Sequence, residues 1–210
     1  MNKNKDLTIE ETFKLAVENH QNNKLDVAQE LYNKVLEINP NFRGAHFNLG
    51  LLFQNTGDYQ KAKDCYEKAI QIKPNYTNAL NNLGDVFRRL GEDQKAKDCF
   101  EKVIKFDLNN QIGHYGLGII YHNINDYQKA IYYYEKAIEI DPDYIDAHTN
   151  IAIMFQKIGQ HQKALNSLEK VIELNPNNAQ AHNNIGTVFI ELGKKKKAKL
   201  CYEKAIEIDP

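Results

Sequence analysis

Along residues 43–56 the apolar side chains Phe47, Leu49, Leu51, Leu52 and Phe53 form one broad helical stripe. Along 59–72, Tyr59, Ala62, Cys65, Tyr66, Ala69 and Ile70 recur at the i, i+3, i+4, i+7 spacing of a second amphipathic helix. The double pattern returns at a fixed interval. Pro40, Pro74, Pro142, Pro176 and Pro210 all lie on one 34-residue comb, whose empty tooth is Leu108. A period in this range marks an array of stacked units. Cut on the comb, the chain is a lead-in at 1–8 followed by repeats 9–42, 43–76, 77–110, 111–144, 145–178 and 179–210, with no insertion in between. The pattern predicts an all-α chain: six antiparallel helix pairs in a single solenoid over 9–210.

Each repeat has the same interior grammar. Position 8 is small (Ala16, Gly50, Gly84, Gly118, Ala152, Gly186), and position 20 is always alanine (Ala28, Ala62, Ala96, Ala130, Ala164, Ala198). Position 24 is large (Tyr32, Tyr66, Phe100, Tyr134, Leu168, Tyr202), and position 27 is Val or Ala. Small residues at 8 and 20 let two helix backbones approach, while bulky ones at 24 and at 11 (Phe53, Phe87, Tyr121, Phe155, Phe189) fill the space beside them. Gly57, Gly91, Gly159 and Gly193 at position 15 break the first helix from the second. Asp58 and Asp126 are expected to cap second helices, and Thr8 with Glu11 forms a capping-box pattern. Each proline ends a repeat, because its ring cannot continue a helix.

These residues resemble the tetratricopeptide repeat (TPR), whose pattern has a small residue at 8, Ala at 20, an aromatic at 24, a small residue at 27 and Pro at 32. Gly57-Asp58-Tyr59-Gln60-Lys61-Ala62, continuing through Tyr66-Glu67-Lys68-Ala69-Ile70 to Pro74, is similar to a consensus copy. The resemblance spans 9–210 and extends to the arrays of O-GlcNAc transferase-like and scaffold proteins. It implies a right-handed α-solenoid, a TPR superhelix, with the first helix of each pair lining a concave face.

Composition narrows the function classes. The 27 Lys+Arg and 28 Asp+Glu leave a formal net charge of −1, which gives nucleic acid no electrostatic foothold. Lys194-Lys195-Lys196-Lys197 is too short a run to alter this, and it is expected at the turn between the last two helices. The N-terminus has no signal-like apolar stretch, and the longest apolar run, Ile151–Phe155, is far too short for membrane insertion. The chain is therefore expected to be cytoplasmic. Cys65, Cys99 and Cys201 share position 23, so they are expected to be packing thiols and not disulfide partners. His46, His114, His148 and His182 share position 4. Copies one helix spacing apart, about 10 Å, cannot share a metal ion, so a packing role is expected and no metal or cofactor. There is no phosphate loop and no nucleophile elbow, and the expectation is that this chain is not an enzyme. Leu108 in the proline slot, followed by Gly113 and Gly116, makes 108–116 the expected soft joint.

If the resemblance holds, positions 2, 5, 6, 9, 12 and 13 face the groove. The expected peptide-binding residues are Phe47, Asn48, Asn81, Asn82, Asp85, Arg88, Arg89, Tyr115, Ile119, His122, Asn150, Ile153, Lys157, Asn183 and Asn184. The asparagines at position 6 have two readings. They are either repeat consensus or amides that pair with a peptide backbone, which they can do because an amide both donates and accepts. The family's carboxylate clamp for chaperone tails is not reproduced, since Phe13 and Val17 stand in the first-repeat clamp positions and Asn78 and Asn82 in the third-repeat ones. The expected function is a scaffold that holds a protein or peptide partner, as an extended or helical segment, in the groove. Two alternatives remain: homo-oligomerisation through an uncapped C-terminal helix, and the targeting part of a larger enzyme such as a glycosyltransferase.

Overall fold

The computed structural model describes residues 7–210, so most of the lead-in lies outside the described residues. Among those described there are twelve helices and no strand. The pairs are α1 (Ile9–Gln21) with α2 (Leu25–Ile38), α3 (Arg43–Asn55) with α4 (Tyr59–Ile72), and α5 (Thr77–Arg89) with α6 (Asp93–Phe106). They continue as α7 (Gln111–Asn123) with α8 (Tyr127–Ile140), α9 (Ile145–Lys157) with α10 (His161–Leu174), and α11 (Ala179–Glu191) with α12 (Lys195–Ile208). In every repeat the first helix begins at position 1 and the second at position 17. Contacts gather the chain into two compact units, Met1–Asp107 and Leu108–Pro210.

Within each pair, the helices meet where the sequence has its smallest and largest residues. A Cβ added to Gly50, Gly118 or Gly186 would lie 2.5, 2.4 or 2.5 Å from the Cε1 of Tyr66, Tyr134 or Tyr202. At Gly84 the corresponding distance to Phe100 is 2.7 Å. The ring at position 24 therefore rests directly on the glycine at position 8. Repeat five offsets the exchange internally, with Ala152 at position 8 and the smaller Leu168 at 24. The alanine at position 20 is fully buried in all six repeats.

The link between the two helices is a left-handed residue at position 15. Gly57, Gly91, Gly159 and Gly193 have φ of +83°, +75°, +73° and +71°, while Asn23 and Asn125 take the same slot at +57° and +60°. Asparagine is the residue after glycine that tolerates this region. Beside this link a lysine at position 19 stacks on the ring at position 11. Lys61 lies 5.3 Å from the Phe53 centroid, Lys95 5.4 Å from Phe87, and Lys129 5.1 Å from Tyr121. Lys163 lies 5.2 Å from Phe155 and Lys197 5.5 Å from Phe189. Repeat one has Asn19 and Val27 there instead, so cation and ring are lost together. The lysine run is thus placed differently from expectation: Lys195–Lys197 form the first turn of α12, because position 17 starts the second helix in every repeat.

The caps follow local chemistry. Asp58 and Asp126 accept from the backbone N–H of Lys61 and Lys129 at 3.2 Å each, and the Thr8–Glu11 capping box is complete. The turn between repeats is tied by the histidine at position 4. Nε2 of His46, His148 and His182 lies 2.8, 2.8 and 3.0 Å from the carbonyl of Pro40, Pro142 and Pro176. His114 does the same at 3.0 Å to Leu108, so this turn keeps its geometry without a proline. The shared histidine position is a turn lock. Among the described residues, no group of three or more His, Cys, Asp or Glu side chains is arranged to hold a metal ion.

Candidate functional site: the face of the first helices

Inside each unit the second helix packs against both its own first helix and the next one, and successive first helices also touch directly: α1 with α3, α3 with α5, and α9 with α11. Within each unit the first helices therefore stand side by side as a wall. Side chains at the expected groove positions bridge neighbouring first helices. Gln54 Nε2 donates to Asp85 Oδ2 at 3.3 Å, Asn150 Nδ2 to the Tyr115 hydroxyl at 2.9 Å, and Gln156 Nε2 to Glu191 Oε1 at 2.8 Å.

The position-5 aromatics are half-buried and held on both sides. Phe47 lies 5.9 Å from Tyr66 and 5.0 Å from Tyr76, centroid to centroid, and Tyr115 lies 5.7 Å from Tyr134 and 4.9 Å from Tyr144. Phe13 repeats the arrangement with Tyr32 and Phe42. Each ring thus joins the core at its back and leaves one edge on the wall. Asn81, in the same slot of α5, is only 5% exposed and sits in the interior, whereas Asn183 on α11 is exposed.

The asparagines at position 6 bind back to tyrosine. Asn48 hydrogen-bonds the Tyr32 hydroxyl, and Asn82 Nδ2 donates to Tyr66 at 3.3 Å. Where the preceding repeat has Leu168 and no hydroxyl, Asn184 instead accepts from Gln180 at 2.8 Å. A ladder amide that gives one N–H to a tyrosine still has its second N–H and its carbonyl oxygen for another partner.

Position 9 forms an apolar ridge of Val17 and Leu51 in the N-terminal unit and Ile119 and Ile153 in the C-terminal unit, all half-buried. Asp85 interrupts it. Its carboxylate pairs with Arg88 at 2.6 Å and Arg89 at 3.8 Å. In the C-terminal unit the polar members are His122 and the exposed Lys157. Burial, followed by the nearby Lys157 ammonium, holds the His122 imidazole below its usual range. Protonation is disfavoured in the fold, so stability from this group is full above the unfolded value of 6.5 and is lost as pH falls through the folded value. An NMR titration of His122 should give a pKa below 6.5, and Lys157→Ala should restore it only in part, because burial is the larger cause. A titration at or above 6.5 would show that the ring is solvated.

The thiols take no part in this wall. Burial pushes Cys65 up to about 11 and Cys99 up to about 12, which leaves both protonated at neutral pH, and all three cysteines are free. Gly113 and Gly116, part of the expected soft joint, are buried in an unbroken α7 whose first turn is capped by Asn110 Oδ1 on the Gly113 N–H at 3.1 Å. No helix among the described residues is long and apolar enough to cross a membrane.

The fold and this wall define an α-solenoid protein built from antiparallel helix-pair repeats. Models of the tetratricopeptide repeat match residues 44–76, 77–110, 112–144, 133–166 and 179–210, and a TPR repeat model matches 18–57 and 154–193. The chain belongs to the tetratricopeptide repeat family. No curated protein matches it. Among solved structures it is similar to MamA, at 27% identity over 76% of this chain and 94% of that one, with a TM-score of 0.69. It is also similar to YrrB, described as a TPR protein with an unusual peptide-binding site, at 24% identity over 85% and 92%, with a TM-score of 0.68. PilF of Pseudomonas aeruginosa superposes with a TM-score of 0.84 over 96% and 92%, at 17% identity. The last two likenesses speak to the fold alone.

Proposed function

We propose that this protein is an interaction scaffold that binds a peptide segment of a partner protein along the face of its first helices. The observation that carries the reading is the side-chain make-up of the wall. Half-buried rings and aliphatic residues lie beside position-6 amides held in place by a tyrosine or a neighbouring amide, so apolar contact and backbone pairing are offered together by pre-oriented groups. The reading assigns no reaction to the chain.

A second surface has its own observation. Leu200 and Ile206 on α12 are 67% and 63% exposed, although Ile70, Ile138 and Ile172 at the position of Ile206 are half-buried beneath a following helix. Stacking of α1 from a second copy onto this face is disfavoured. Glu11 and Glu18 stand on α1 where later repeats carry Ala45 and Leu52 or their equivalents, and their carboxylates would be buried against leucine and isoleucine.

The test is selection of binders from a random peptide library displayed on phage, followed by titration of a labelled winner. Ile153→Asp places a charge on the apolar ridge at an already half-exposed site. It should weaken a peptide that binds the C-terminal unit by tenfold or more, while Leu200→Asp on α12 should leave binding unchanged. The opposite pattern would move the interface to α12.

A further inference from the structure

Position 9 packs an aliphatic side chain in four of the six repeats, and in the third it is Asp85. An isolated carboxylate in a half-buried apolar stripe is unfavourable, and here it is not isolated. Its Oδ1 accepts from Arg88 Nη2 at 2.6 Å, and its Oδ2 accepts from Gln54 Nε2 at 3.3 Å with Arg89 Nε at 3.8 Å. Gln54 is itself fixed, because its Oε1 accepts the hydroxyl proton of the fully buried Tyr66 at 2.7 Å. That hydroxyl in turn accepts from Asn82 at 3.3 Å. The result is a continuous polar relay, Asn82–Tyr66–Gln54–Asp85–Arg88, that crosses α5, α4 and α3 and is anchored in the core of the N-terminal unit.

The relay has two consequences. It fixes the Arg88 guanidinium, a side chain that otherwise loses much rotamer freedom on binding, and it leaves the charge unbalanced. Two guanidiniums face one carboxylate, so the cluster is net positive on a wall where the neighbouring ladder residues, Asn48 and Asn82, are neutral. A guanidinium has five N–H donors in a planar fork, and Asp85 occupies only part of the pair. Arg88 and Arg89 remain 26% and 54% exposed in their side chains. The geometry resembles no clamp for a free C-terminus, since these arginines occupy positions 12 and 13 of a single helix.

We infer that Arg88 and Arg89, positioned by Asp85, form a subsite for an acidic side chain, Asp or Glu, within the bound peptide. This rests on the proposed peptide-binding function and sharpens it: the N-terminal unit selects for negative charge. Asp85 is the positioning residue and the two arginines make the contact.

The experiment uses the full chain in the same phage-display selection, run in parallel on wild type and on Arg88→Gln/Arg89→Gln. Both substitutions are at exposed or half-exposed sites, and thermal melts by circular dichroism confirm equal folding. Wild type should enrich Asp- or Glu-bearing peptides and the double variant should not. For a wild-type winner, changing its acidic residue to Gln, or using the double variant, should each weaken binding about tenfold. Combining the two should add little further loss, because the same contact is removed twice. Wild-type affinity should also fall between 50 and 300 mM NaCl, about as far as surface-charge screening requires, and the Gln peptide should not follow. Neutral winners whose affinity ignores both arginines would overturn the subsite while leaving peptide binding intact. A selection with no binders at all would overturn the peptide-binding reading and the subsite with it.

Discussion

Replacing Tyr66 with alanine should destabilise the protein by about 3–5 kcal/mol, the usual loss when a buried large aromatic is truncated. The ring is fully buried and lies on Gly50, where a Cβ would come within 2.5 Å of it, so no neighbour can move in to fill the space without tilting α3 against α4. Tyr66→Phe separates packing from polarity. It keeps the ring and removes only the hydroxyl that donates to Gln54 and accepts from Asn82, so it should cost about 1 kcal/mol. Urea unfolding followed by circular dichroism checks both. Equal losses for the two variants would mean that the hydroxyl, and not the ring, holds the pair together. Tyr66→Phe should also loosen the relay behind Asp85.

Gly118→Val should also be damaging, though less so. The ring of Tyr134 is fully buried, and its Cε1 and Cδ1 lie 2.4 and 2.5 Å from the place where the new Cβ would stand. These are mid-ring atoms of a locked side chain, so the helices must separate, and overpacking of this kind costs about 1–3 kcal/mol. Any gain in helix propensity over glycine is smaller, below about 1 kcal/mol. The compensated pair Gly118→Ala with Tyr134→Leu copies Ala152 and Leu168 of the next repeat and should recover most of the loss. Repeat one, where Ala16 and Tyr32 are both fully buried, shows that an alanine fits beside tyrosine when the helix pair is spaced for it. The valine is therefore the sharper test. A valine variant as stable as wild type in thermal unfolding would show that the fit at this crossing is loose.

The proline comb and the small-large grammar made the twelve helices legible, because both are local and recur in one register along the chain. The position-15 link was legible only where it is glycine. Asn23 and Asn125 fill the same left-handed slot, and asparagine's tolerance for that region was the available signal. Asn110 and Asn178 cap α7 and α11 by the chemistry expected of Asp58, but their places at the end of a repeat hid them. The histidine turn lock was out of reach, because the ring and its acceptor lie six positions apart and only the turn geometry brings them together. The expected groove residues could be placed on one face of the first helices but not in a network. Asp85 meets Gln54 across 31 residues, and Asn82 meets Tyr66 across 16. A hint lay in the sequence all the same: Asn48 and Asn82 each follow a repeat with tyrosine at position 24, and these are the partners the structure shows.

The most direct measurement is NMR chemical-shift mapping of a selected peptide titrated into the labelled chain. Peptide binding along the first helices predicts that amide and side-chain signals of Asn48, Asn82, Arg88, Tyr115, Asn150 or Ile153 shift in saturable fashion while Leu200 and Ile206 stay still. Shifts confined to α12, or to the second helices, with the first-helix face unmoved, would contradict it.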